Sequence, residues 1–150
     1  MASETHLFPV EVEWFGRRLT RARTGGGQAL EIATPPIFPS GMEGFWSPED
    51  MVVGAAASCF VLTLVAACES RSLPLHELRV NGVGHLSKRS GRTAFDRIDL
   101  TVTAETAGDR VEDLRRVAEH VERGCIVAGA LAVPLRLELE LRSSDSPVAV

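Results

Sequence analysis

Tyrosine is absent from the 150-residue chain, and aromatic residues make up only 5% of it. That argues against the aromatic platforms on which single-stranded nucleic acid stacks. No basic excess is present to attract phosphates: 16 Lys and Arg stand against 20 Asp and Glu, a formal net charge of −4. Cysteine is scarce. Cys59, Cys68 and Cys125 are odd in number and widely spaced, which excludes a disulfide scaffold and fits a reducing compartment. No CxxC occurs, so neither a thioredoxin motif nor a zinc knuckle is supported. His6, His76, His85 and His120 show no HExxH or paired-ligand spacing, which leaves a metal-dependent hydrolase without a motif. Gly82-Val83-Gly84 lacks the rest of a dinucleotide fingerprint, and no Walker loop is present. Met1 to Phe8 carries Glu4 and no apolar stretch, so it does not read as a secretory signal; the expected location is cytoplasmic.

What is present is apolar and patterned. Hydrophobic residues make up 45% of the chain, enough for one core, and residues 1–150 read as a single domain. Met51 to Cys68 contains no charge. Its length touches the transmembrane threshold, but Gly54, Ala55, Ala56, Ala57, Ser58, Ala66 and Ala67 make it small rather than greasy. A helix apolar all round is more simply a buried central helix of a soluble domain, and no membrane role is expected.

Local signals give the element order. Val10-Glu11-Val12-Glu13-Trp14 alternates like a half-buried strand. Glycines at 16 and 25–27 punctuate two further hairpin strands, near 17–24 and 28–33. Residues 34–44 read as an ordered loop rich in Pro and Gly. Ser47-Pro48-Glu49-Asp50 starts a helix over about 48–71: Ser47 caps, Pro48 suits the first helical position, and Asp50 completes a capping box. Strands near 78–86 and 95–105 flank a polar turn at Ser87 to Arg92. An amphipathic helix begins near Asp109 and stops at Gly124, and a short helix follows over 126–131. Leu135, Leu137, Leu139 and Leu141 alternate with charged residues in a final strand, whose Leu face needs the long helix or a partner's sheet to cover it. Residues 143–150 read as a tail. The order is α+β, without the strict alternation of a Rossmann sheet.

The chemistry lies in the cysteines. A cysteine that attacks an oxidant needs a second thiol to resolve it. Cys59 lies about twelve residues into its helix, beyond the reach of the helix dipole, and an apolar site would raise its pKa. From the residues alone it is either an inert buried thiol or a reactive one reached by a cation from elsewhere in the fold. Cys125 follows a helix C-terminus, a poor place for a thiolate and a suitable one for a waiting thiol. Cys68 is nine residues from Cys59, about 13 Å along a helix axis, and reads as structural.

Ser47-Pro48-Glu49-Asp50-Met51 through Ala57-Ser58-Cys59-Phe60, then Gly124-Cys125-Ile126-Val127, resemble the OsmC/Ohr family of osmotically inducible and organic hydroperoxide resistance proteins. The likeness runs from the Trp14-Phe15-Gly16-Arg17 strand end to the final Leu-rich strand. It implies an OsmC-like α+β fold in an intertwined homodimer with active sites at the subunit interface. It implies a thiol-dependent peroxidase for alkyl or fatty-acid hydroperoxides, acting in oxidative stress defence. By that resemblance Cys59 is the peroxidatic cysteine and Cys125 the resolving one, joined in an intramolecular disulfide. Glu49 matches the family's Pro-Glu carboxylate, and Arg17 its activating arginine, with Arg18 an alternative register. No metal, flavin or haem is implied; an external dithiol, lipoyl-type or another small one, would be the reductant. Met42, Phe45, Trp46 and Phe60 are candidate lining residues of the pocket for an apolar peroxide, and the alternative is a non-catalytic OsmC-like dimer that binds an apolar small molecule in the same interface pocket. One departure stands out: the family's second cysteine is usually followed by Pro, and here by Ile126. Glu49 and Cys59 are ten residues apart, about 15 Å along a straight helix, so the two would meet only across subunits or through a bend.

Overall fold

The computed structural model describes residues 3–144. Its contacts fall into two compact units, one up to Met51 and one from Val52 onward. The first holds an antiparallel sheet of β1 (Val10–Trp14), β2 (Leu19–Thr24) and β3 (Ala29–Ala33), in that order. β2 starts two residues later than the glycine punctuation suggests, because Gly16 and Arg17 take left-handed φ values of 90° and 51° and turn the chain. The turn closes with Phe15 N–H donating to Leu19 O at 2.9 Å. Ala22, Ile32 and Ala33 are buried, whereas Val10, Val12 and Trp14, on one face of β1, are all more than half exposed.

α1 (Pro48–Glu69) begins as the capping box requires. Asp50 N–H donates to Ser47 Oγ at 3.0 Å, and Ser47 N–H donates back to Asp50 Oδ2 at 2.9 Å. The helix ends two residues before its expected limit. It is buried along one face only, through Ala56, Phe60, Leu64 and Cys68, and Leu62 is 69% exposed. The expectation of a helix buried all round therefore fails for the single chain. By length and composition α1 could cross a membrane, but its buried stripe belongs to the protein core.

The second unit's sheet has the order β4 (Glu77–Arg89), β5 (Arg92–Ala107), β6 (Leu135–Ser144). β4 and β5 are longer than the sequence pattern suggests. The polar residues 87–92 keep pairing down to Arg89 opposite Arg92, and the chain reverses at Ser90 and Gly91, both with positive φ. A bulge at His85/Leu86 re-aims the outer half of the hairpin. β6 joins β5 in parallel, after the crossover through α2 (Val111–Gly124) and α3 (Ile126–Ala130). This gives one βαβ-like step inside an otherwise antiparallel sheet. The Leu face of β6 packs against the core, with α2 over β5 and β6. The strand runs to Ser144, two residues into the expected tail; residues 145–150 of that tail lie outside the described residues.

α1 reaches this sheet because β4 is flat where they meet. A Cβ on Gly82 would lie 2.7 Å from Val53 Cγ1, and one on Gly84 2.7 Å from Val53 Cγ2 and 2.5 Å from the Phe95 ring. Leu64, Ile98, Leu100, Val102 and Leu114 are almost wholly buried in the core of this unit.

Candidate active site: two thiols in contact

Cys59 is half-buried in the middle of α1, and Cys125 is buried at the break between α2 and α3. Cys125 has extended dihedrals, φ −69° and ψ 120°, which end α2 and redirect the chain into α3. That redirection brings the Cys125 thiol into hydrogen-bonding contact with Cys59, 66 positions earlier in the chain. Both thiols are free.

The two sulfurs are pushed in opposite directions. Desolvation works against a thiolate at Cys59. It is outweighed by hydrogen bonds from the Cys125 thiol, the Val127 N–H, the Thr63 hydroxyl and the Ile126 N–H, and the net pKa is lowered. Thr63 also donates to the Cys59 carbonyl at 2.7 Å, so its single proton serves either the carbonyl or the sulfur. Burial pushes the Cys125 thiol up, and donating to Cys59 and facing its charge push it further, against N–H donors from Ala128 and Val127. Cys59 is therefore the more acidic thiol of the pair and Cys125 the less acidic one. In the single chain the four groups that favour the Cys59 thiolate are uncharged. Cys68 lies in the core with its pKa raised by burial, against the charge of Arg71, as a structural thiol would.

The remaining expected residues, Glu49, Arg17 and Arg18, belong to the first unit. Glu49 stands in the first turn of α1 with Oε2 enclosed and without a hydrogen-bond partner among the described residues. It is ten residues up a continuous helix from Cys59, about 15 Å, so the helix does not bring the two together. Arg17 and Arg18 are exposed at the β1–β2 turn. The Arg17 carbonyl accepts from Trp14 Nε1 at 3.0 Å, while neither guanidinium forms an ion pair among the described residues. Arg21 pairs with Glu31 at 3.0 Å and stacks 4.0 Å over Phe15. Phe60 is fully buried core rather than a pocket wall; Met42 and Phe45 are half-buried and Trp46 is 49% exposed. The sequence reading missed Thr63 and the main-chain donors of Ile126 and Val127. Thr63 carried a signal, one turn after Cys59.

A groove of about 430 Å³ lies on the outer face of the second sheet, lined among others by Asn81, Val83, His85, Asp99, Thr101 and Arg136. His85 Nε2 lies 2.7 Å from Asp99 Oδ2, and Arg97 Nε 3.1 Å from Asp99 Oδ1. Desolvation would raise the Asp99 carboxyl, but the hydrogen bonds and charges of Arg97 and His85 hold it low. The groove's lining holds no cysteine, so it is separate from the thiol chemistry.

Known proteins share this arrangement of elements. The family description "OsmC-like protein" matches residues 41–140. An uncharacterised protein of Bacillus subtilis, YmaD, is 23% identical over 139 residues, covering 90% of this chain and 93% of its own. An OsmC-like protein of unknown function from Vibrio cholerae superposes with a TM-score of 0.82 at 18% identity, covering 90% of this chain and 99% of the other. The organic hydroperoxide resistance protein OhrB of Bacillus subtilis superposes with a TM-score of 0.64 at 17% identity, over 91% and 98%. With two-thirds of its length matched, including both cysteines of the contact pair, the chain belongs to the OsmC family.

Proposed function

We propose that the protein is a cysteine-based peroxidase that reduces organic hydroperoxides, acting as a cytoplasmic homodimer in oxidative stress defence. The observation that carries this reading is the hydrogen-bonded pair in which Cys59 is biased toward thiolate and Cys125 toward thiol. The Cys59 thiolate attacks the terminal oxygen of ROOH. The O–O bond breaks, RO⁻ leaves and takes a proton to become an alcohol, and Cys59 becomes a sulfenic acid. Cys125 then attacks that sulfur, water leaves, and a Cys59–Cys125 disulfide forms. An external dithiol, by resemblance lipoyl-type, restores both thiols by exchange and is itself oxidised to a disulfide.

What one chain leaves bare supports the dimer reading. Leu62 on α1 and Val10, Val12 and Trp14 on β1 are apolar and exposed, and a second copy is the natural cover. The partner also provides a route for an arginine, Arg17 or Arg18, to reach an unpaired Glu49 carboxylate, a pairing that suits bidentate hydrogen bonding.

Stopped-flow oxidation of the reduced protein by an alkyl hydroperoxide and by hydrogen peroxide tests the proposal. Fast reaction that favours the alkyl peroxide, is lost in Cys59→Ser, and ends in a Cys59–Cys125 disulfide is expected. Reaction with both oxidants at the rate of an ordinary free thiol would overturn it and leave a pocket that binds an apolar molecule without turning it over.

A further inference from the structure

We infer that the groove on the outer face of the second sheet binds a small zwitterion of the α-amino-acid class, its carboxylate at Arg136 and its ammonium at Glu138. Side chains alternate across a strand, and Gly82 and Gly84 face Val53 of α1, so the residues between and beside them on β4 turn the other way. The ladder sets the outer face in two rows across three strands. In one, Val83 stands opposite Asp99 and Asp99 opposite Arg136; in the next, Asn81 stands opposite Thr101 and Thr101 opposite Glu138. All six line the groove, whose volume of about 430 Å³ is that of a small-molecule site.

The ligand class follows from which charges are left unpaired. Asp99 is the neighbour of Arg136 on the adjacent strand and could pair with it. Its carboxylate is occupied from the other side instead. Arg97 Nε donates to Oδ1 at 3.1 Å and to Oδ2 at 3.2 Å, and His85 Nε2 lies 2.7 Å from Oδ2. Arg136 is thereby left without an ion pair or side-chain hydrogen bond among the described residues, and so is Glu138. Glu140, the next acid on the same face of β6, is by contrast held by Thr103 Oγ1 at 3.1 Å. The two open charges have opposite signs and lie two residues apart on one strand face, about 7 Å between their Cα atoms. Their long side chains can close on one small molecule that carries both charges. A guanidinium takes a carboxylate through two parallel hydrogen bonds, and a carboxylate accepts from an ammonium. Val83, 54% exposed, offers an apolar contact to the ligand's side chain. A simple anion would meet the repulsion of Glu138 and Asp99, and a simple cation that of Arg136.

Titration of the ¹⁵N-labelled full chain with L-valine, followed through its amide resonances, tests the site. Saturable shifts at Asn81, Thr101 and Arg136 are expected at millimolar valine. N-acetyl-L-valine lacks the ammonium and L-valinamide lacks the carboxylate. Each should bind about tenfold more weakly than valine, the size of one charge-assisted hydrogen bond. Arg136→Gln should weaken valine by the same factor and no longer distinguish it from valinamide. Glu138→Gln should weaken it likewise and no longer distinguish it from N-acetylvaline. Both side chains are exposed, so neither change removes core packing. Shifts that never saturate, analogues that bind as tightly as valine, or variants that keep the parent's discrimination would each overturn the inference.

Discussion

Cys59 and Cys125 carry the same side chain and differ in acidity because different groups donate to each. Cys59 receives the Cys125 S–H; Cys125 gives it and faces the resulting charge. Attack on a peroxide needs the thiolate. A lowered Cys59 pKa therefore sustains the rate to lower pH than an ordinary thiol allows, and the rate drops as pH falls through that pKa. Cys125→Ala removes the first donor, so the drop should move to higher pH and slow oxidation several-fold at neutral pH. Cys125→Ser keeps a donor and should stay close to the parent profile. Both variants should stall as a sulfenic acid that dimedone traps, because neither has a thiol to condense. Stopped-flow profiles over a pH series, with intact mass of the dimedone adduct, check both statements. The two cysteines were legible in the chain as the residues able to do chemistry. What lowers Cys59 was not: within its own helix it lies too deep for dipole help, and three of its four donors come from around position 125.

At the scale of elements, α1 lies close to β4 because Gly82 and Gly84 present no side chain to Val53. That approach puts the Cys59-bearing helix against the sheet whose crossover delivers Cys125. Gly84→Ala places a Cβ against both Val53 and the Phe95 ring and should destabilise the fold by about 1–3 kcal/mol. Urea unfolding of the reduced protein measures it; an unchanged midpoint and slope would mean the helix stands off the sheet. Helix boundaries and the capping box were readable because caps and turn residues act locally. The long β4–β5 hairpin was read too short. Polar residues at 87–92 look like a loop, yet ladder bonds are indifferent to side-chain polarity when both faces at the tip meet water. The parallel seat of β6 was equally invisible, since pairing across a helical crossover leaves no mark in the local pattern.

At the scale of the molecule, one chain leaves too much apolar surface uncovered. Leu62, at 69% exposure, lies on the open side of a helix whose other side is core. Light scattering should report a dimer, and Leu62→Glu should shift it toward monomer. The subunits should also share sites. Mixing Glu49→Ala chains with Cys59→Ser chains should restore activity that neither has alone, because one helix holds these residues about 15 Å apart. Folded heterodimers that stay inactive would exclude a shared site. By itself the sequence determined the α+β element order and the capped start of α1, since each is written in local spacing, and its resemblance to the OsmC/Ohr family singled out Cys59 and Cys125 as the candidate reactive pair. The tertiary structure alone decided that those cysteines touch, which of them is the more acidic, and that α1 keeps one apolar side open. These depend on donors and surfaces brought together from distant parts of the chain, which hydrophobic periodicity does not encode.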